Sequence, residues 1–319
     1  MSDSKILVTG STGFLGRGLV DALLEKKIPI RAVTRNKKYM KSIEEFLVPE
    51  IDGEVSWIDA FTSIGCVIHC AARAHIMNEE VLDPISEYRR VNVDGTLNLA
   101  RQASESGVKR FIYISSIKVN GESTTGICPF SEEDEAKSRD PYGISKYEAE
   151  EGLKRIAFES SMEVVIIRPP LVYGAGVKAN FLNLLKFSST KLPLPFGLVR
   201  NKRSMVYIEN LVDFIVKCID HPAAANQTFL VSDNDDLSLR SLLVMIRESM
   251  KIPVRLLPTP VFLFKLAGLI LGKKDVVDRL VGDLQVNPNK AMTLLDWEPP
   301  YTAEQGIQAT VDSFLKDKK

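Results

Sequence analysis

Apolar positions recur with two different periods along the first half of the chain. Short runs rich in β-branched residues read as buried strands: KILVTG (5–10), IPIRAVTR (28–35), CVIHCAA (66–72), KRFIYIS (109–115) and MEVVIIRP (162–169). Between them the spacing turns helical. Phe14, Leu15, Leu19, Val20, Leu23 and Leu24 fit one face of a helix running from Gly13 to Lys27. Residues 84–106 predict a long helix, and residues 141–159 another, capped by Asp140 with Pro141 in its first turn. Strand–helix–strand alternation of this kind requires parallel strands and right-handed crossovers. The predicted fold is therefore α/β, a doubly wound parallel sheet of the Rossmann type.

After Pro170 the rhythm changes. Prolines at 193, 195, 222, 253, 258, 260, 288, 299 and 300 cut the chain into short pieces, as in a smaller, mixed α/β domain. The expected division is residues 1–170 for the sheet domain, with 171–203 and 221–319 forming the second. The strand–helix piece near 204–220 is expected to return to the first. The segment PTPVFLFKLAGLILGKK (258–274) is apolar from Val261 but interrupted by Lys265, and is too short to span a bilayer. A buried or lid helix is expected there, with membrane association as the alternative.

Composition adds exclusions. The 319 residues carry 41 basic and 41 acidic side chains, so no bulk charge attracts nucleic acid or an anionic surface; any anion must be held locally. Four scattered cysteines and no metal-ligand spacing point to a reducing, cytoplasmic setting, with Cys66 and Cys70 as core residues. The first residues, MSDSKILVTG, lack the layout of a signal peptide.

The local device is TGSTGFLGRGL. Gly10, Gly13 and Gly16 stand between the first strand and the first helix, where they permit a tight turn, close backbone approach and helix–strand packing. A dinucleotide pyrophosphate then meets the free N–H groups of a helix start. Where many dinucleotide domains carry an acid at the end of the second strand, this chain has Val33-Thr34-Arg35. Arg35 either pairs with a 2′-phosphate, favouring NADP over NAD, or is solvated in the basic loop RNKK.

DPYGISKYEAE places Tyr142 and Lys146 four apart on one helical face, about 6 Å between Cβ atoms. A phenol must fall about 3 units to act as a base near neutral pH, about 4 kcal/mol. A cation about 4–5 Å away can supply roughly that much.

Together with HCAA (69–72), NVDGTLN (92–98), the pair Ser115-Ser116 and RPPLVYG (168–174), these motifs resemble the extended short-chain dehydrogenase/reductase family over nearly the whole chain. The nearest branch holds nucleotide-sugar epimerases and 4-ketoreductases. The resemblance implies catalytic Ser116, Tyr142 and Lys146: a hydroxyl on the sugar C4 oxygen, a proton carrier, and a cation that binds ribose and lowers the phenol. It implies NAD or NADP contacts from Gly10, Thr12, Gly13, Phe14, Leu15, Gly16, Arg35, Glu50, Ile51, Ala71, Ala72, Asn92, Pro169 and Leu171. It also implies a UDP-sugar held by Asn180, Arg203 and Arg279, with Lys118 at the pocket or solvated on its rim. A homodimer through the helices 84–106 and 141–159 follows by the same likeness, as does Trp297 packing a domain edge.

Sugar dehydratases of the family carry Asp-Glu directly after the catalytic hydroxyl. This chain has Ile117-Lys118, which cannot expel water as acid and base. Asn120 replaces the usual Tyr of a Val-Tyr-Gly turn, altering the expected pocket wall. The readings left are an NAD(P)-dependent C4 epimerase of a UDP-hexose or UDP-N-acetylhexosamine, an NADPH-dependent 4-ketoreductase of a UDP-4-keto-deoxysugar, and a non-catalytic NADP-binding relative.

Overall fold

The computed structural model describes residues 4–36, 43–74 and 83–317. Lys37 and Lys38 of the basic loop lie outside these residues. In chain order the first half comprises β1 (Lys5–Thr9), α1 (Phe14–Glu25), β2 (Ile30–Thr34), β3 (Glu44–Leu47), β4 (Ile64–His69), α2 (Pro84–Arg89), α3 (Thr96–Glu105), β5 (Arg110–Ile114), α4 (Pro141–Glu159) and β6 (Glu163–Arg168). There follow β7 (Leu171–Tyr173), α5 (Ala179–Ser188), β8 (Met205–Tyr207), α6 (Ile208–Cys218), β9 (Thr228–Leu230) and α7 (Leu239–Ser249). The chain closes with α8 (Val261–Ile270), α9 (Lys274–Val281), α10 (Asn289–Leu295) and α11 (Ala303–Lys316).

Seven strands form one parallel sheet in the order β3-β2-β1-β4-β5-β6-β9. The strand order reverses between β1 and β4. That switch point opens a crevice beyond the strand ends, which is where open α/β sheets bind ligands. The two faces follow from the period of two. Ile6, Val8, Ile68, Ile112, Val165 and Ile167 pack on one side with α1 and α6. Leu7, Val67, Phe111, Tyr113, Val164 and Ile166 pack on the other with α3 and α4.

Helix α4 has the predicted bounds, with the Asp140 carboxylate accepting from Gly143 N at 3.2 Å. The helix expected over 84–106 is instead two helices joined by a π-helical turn, Arg90–Gly95. Such turns insert a residue and redirect side chains, here Asn92. The return of 204–220 to the sheet also differs from expectation. Helix α6 does pack on α1, where Ile208 and Val212 lie opposite Gly18. The strand β8, however, pairs with β7 in a separate two-stranded sheet, and β9 supplies the seventh strand.

Segment 283–287 ties the second half to the first. Thr124 N donates to Asp283 O and Phe130 N to Gln285 O at 2.9 Å each, while Ser204 N donates to Leu284 O at 2.8 Å. Trp297 packs edge-on to Phe214, ring centroids 4.9 Å apart, and its Nε1 donates to Asp213 at 2.9 Å. Among the described residues no helix is long and apolar enough to cross a membrane.

Candidate active site

The glycine loop fills the switch point. Gly10 follows β1 with φ +65°, and a Cβ there would lie 2.7 Å from Ala71 N, which follows β4. A Cβ on Gly16 would meet Gly10 O at 2.1 Å, so α1 approaches the turn as closely as glycine allows. Gly13 caps α1 in extended conformation, with no side-chain cap and no acid in the first turn. The N–H groups of Phe14 and Leu15 therefore face outward beside exposed Thr12 and Gly13, a fit for the diphosphate of NAD or NADP. Ser11 Oγ donates to Val33 O at 2.7 Å, fastening the loop to β2 next to exposed Arg35.

Two buried polar groups brace this crevice. His69 lies between Thr9 Oγ1, 2.7 Å from Nδ1, and Thr96 Oγ1, 3.0 Å from Nε2. Burial pushes its imidazole down to about 3, so it is a neutral strut. Asn92 donates to Ser145 Oγ and Arg73 O, each at 3.0 Å, and accepts from Arg73 N at 2.8 Å. It thereby locks the loop after Ala71-Ala72 onto α4. Glu50 pairs with Arg90, while Ile51 packs partly buried against Gly95.

The catalytic candidates lie at the end of β5 and in the first turns of α4. Ser115 is buried and donates to Glu150, whereas Ser116 is half-buried and caps a 3₁₀ turn, accepting from Lys118 N at 3.2 Å. Glu150, fully buried, also receives Arg168, whose Nε lies 3.0 Å from Oε1. Arg168 donates in turn to Asn120 Oδ1 at 2.9 Å. The backbone is fixed too: Ile117 N donates to Pro169 O at 3.0 Å, next to buried Pro169 and exposed Leu171. Asn120, expected on the pocket wall, is thus wholly buried in this network. A helical Glu150 and a strand-end Arg168 were not singled out by the sequence pattern, because only the fold pairs them.

Lys146 is 1% exposed; its Nζ donates to Ile114 O at 2.7 Å and lies 5.9 Å from the Tyr142 ring centroid. Burial lowers its ammonium to about 7. Burial, with smaller contributions from Asp140 and Tyr88, raises the Tyr142 phenol well above its ordinary value. This is opposite to the expected lowering, because desolvation here exceeds the field of an ammonium aimed at a carbonyl. Lys118 is partly exposed and pairs with Asp140 at 2.9 Å, its Nζ 5.7 Å from the Tyr142 ring centroid. It offsets the one carboxylate that disfavours phenolate.

The substrate candidates lie in the second half. Asn180 is exposed in the first turn of α5. Arg203 donates to Arg279 O at 2.6 Å and Gly282 O at 3.4 Å, so the two arginines are neighbours through backbone at the end of α9. Arg279 itself is exposed, its Nε donating to Asp275 O at 3.1 Å. The helix expected to be buried or to form a lid is α8, which lies at the surface with only its inner side covered.

Known proteins frame this geometry. A model of the NAD dependent epimerase/dehydratase family matches residues 6–232. The chain is 48% identical over 313 residues to a UDP-glucose 4-epimerase of Vibrio cholerae, covering 98% of this chain and 95% of that protein. It is 29% identical over 346 residues to the N-acetyl-alpha-D-glucosaminyl-diphospho-ditrans,octacis-undecaprenol 4-epimerase of Escherichia coli O157:H7, covering 100% and 98%. A UDP-glucose 4-epimerase of Thermotoga maritima, crystallised with UDP-glucose, superposes with a TM-score of 0.78 at 23% identity over 99% of this chain and 100% of that one, a likeness of fold.

Proposed function

The chain belongs to the NAD dependent epimerase/dehydratase family, the extended short-chain dehydrogenase/reductase group that its motifs resemble, and from that premise we propose that it is a nucleotide-sugar 4-epimerase acting on a UDP-hexose or UDP-N-acetylhexosamine. The observation that carries this reading is Tyr142 set beside buried Lys146, in a chain 48% identical to a UDP-glucose 4-epimerase.

Phe14, Leu15 and the glycine loop would hold the dinucleotide diphosphate, with Ala71, Ala72 and Lys146 nearer the nicotinamide ribose. When bound, NAD supplies the reversible hydride acceptor for the sugar carbon. Ser116 donates a hydrogen bond to the C4 oxygen and fixes its position. Tyr142 takes the hydroxyl proton from that oxygen and later returns it. The Lys146 ammonium offsets part of the desolvation that raises the phenol, and Lys118 keeps Asp140 from adding to it. Dehydration has no acid–base pair to use, since Ile117 is buried and Lys118 is ion-paired.

Arg203 and Arg279, on one edge of the second half, suit the diphosphate of the UDP-sugar. The domain division at about residue 170, a cytoplasmic setting and a homodimer through α3 and α4 complete the reading. Exposed Phe158 and Tyr147 on α4 support the homodimer.

Incubating the protein with UDP-glucose or UDP-N-acetylglucosamine, with and without NADPH, tests the assignment. The C4 epimer should form without net consumption of NADPH. Stoichiometric NADPH oxidation on a 4-keto sugar nucleotide would make the chain a reductase instead.

A further inference from the structure

Helix α8 is apolar apart from Lys265, a composition that normally requires most of its surface to be covered. Its inner face is covered. Val261 and Phe264 join the cluster of Leu194, Phe196 and Val199, with Phe264 stacked on Phe196 at 5.2 Å between centroids. Gly268 is buried against α9, where a Cβ would come within 2.7 Å of the Val277 side chain. The outer face is bare. Phe262, Leu263, Leu266, Leu269 and Ile270 are all exposed, the last two 68% and 73%. At about 100° per residue these five fall within an arc of about 120°, one continuous stripe.

Charge says what covers it. From Arg255 to Lys274 the chain carries four basic residues and no acid, although the whole chain is balanced at 41 and 41; the next acids, Asp275 and Asp278, belong to α9. Lys265 flanks the stripe, and Lys273 and Lys274 follow its end; all three are exposed and none forms an ion pair with a described residue. A second copy docked stripe to stripe would set Lys265 of each helix near the other, and α8 itself carries no acid to pair it. An anionic lipid surface meets both the stripe and its rim.

We propose that the outer face of α8 seats the protein in the interfacial layer of an anionic lipid bilayer. The helix lies in the membrane plane, its apolar stripe below the headgroups and its lysines at phosphate level. Ten residues make about 15 Å of helix, half the hydrocarbon thickness, so it lies on the bilayer and does not cross it. Because α9 packs on α8 and its end holds Arg203, this seating sets the arginine side of the site beside the lipid headgroups.

The test is co-sedimentation of the full chain with phosphatidylcholine vesicles, with and without phosphatidylglycerol. Binding should be roughly tenfold or more tighter with phosphatidylglycerol. The double variant Leu266→Asn/Leu269→Asn should bind about a hundredfold more weakly while keeping the wild-type melting temperature and UDP-sugar turnover, since both side chains point away from the core. Replacing Lys265, Lys273 and Lys274 with Gln should abolish the preference for anionic vesicles. No binding to the anionic vesicles overturns the proposal. So does a solution oligomer that the double variant dissociates, which would give the face to a second copy. Turnover without vesicles reads the epimerase assignment separately.

Discussion

Ser116, Tyr142 and Lys146 stand among side chains that are buried and tied to one another, whereas Asn180 and Arg279 stand in solvent and Arg203 is held by backbone carbonyls. On the catalytic wall, strand β5, helix α4 and strand β6 meet through Ser115, Glu150 and Arg168, and none of these can move without exposing a buried charge. On the proposed substrate wall the same kind of residue, arginine, is mounted on short helices and isolated pairings. The contrast divides labour. Proton transfer needs positions fixed within a fraction of an ångström, and a rigid sheet edge supplies them. On the proposed reading, recognition of one sugar nucleotide against another falls to elements that can vary without disturbing the sheet.

The difference can be broken open by substitution, beginning on the rigid side. Tyr142→Phe should lower turnover by about a thousandfold or more while NAD binding persists, read by steady-state rates and by cofactor titration. Activity within a few-fold of wild type would remove the proposed proton carrier. Glu150→Gln leaves the Arg168 guanidinium buried without its counter-charge and should cost about 3–5 kcal/mol of unfolding free energy by denaturant titration. A loss under about 1 kcal/mol would mean that the network does not hold this wall.

His69 sharpens the same point through pH. Its folded-state value is depressed to about 3 from 6.5, so between those values the unfolded chain binds a proton that the folded chain refuses. Stability therefore falls as pH drops through that window. From pH 7 to about pH 4.5, wild type should lose roughly 2–3 kcal/mol more than His69→Gln does. Parallel pH profiles would contradict a neutral buried imidazole.

On the looser side, Arg203→Ala should raise KM for the UDP-sugar by about thirtyfold with little change in NAD affinity. Equal loss of both would make Arg203 a structural clamp for α9. The smallest effect is expected at the boundary between the two walls. Lys118→Met leaves Asp140 uncompensated beside the phenol and should move the acid limb of kcat upward by about half a unit to one unit, with a few-fold loss near neutral pH. An unmoved limb would show that the pair is too exposed to matter.

The parts of this arrangement written into short stretches were legible beforehand. The glycine loop needs only a strand before it and a helix after it. Helix α4 is announced by Asp140 and Pro141, and its observed bounds follow. What could not be read depends on distant pairing. Strand β3 is EEFL, a polar pattern that is extended because Glu44 pairs with Arg31 and Glu45 with Thr34 across the ladder. Strand β9 is three residues long, too short for a period. Glu150 looks like one more solvated acid on a charged helix until β6 delivers Arg168 to it. Lys118 looks out of place two residues after Ser116 because its partner, Asp140, lies 22 residues further on. Whether α8 is buried, a lid or a surface helix could not be read from its apolar run, which does not declare how many of its sides the fold will cover.

The central claim is that the hydrogen on the sugar C4 carbon leaves and returns within one active site, while Tyr142 handles only the oxygen-bound proton. UDP-glucose or UDP-N-acetylglucosamine carrying deuterium at C4, whichever is turned over, tests it by NMR of the product. The account predicts that the C4 epimer keeps its deuterium on carbon, with none released to water. Loss of the label to solvent during epimerisation would contradict it.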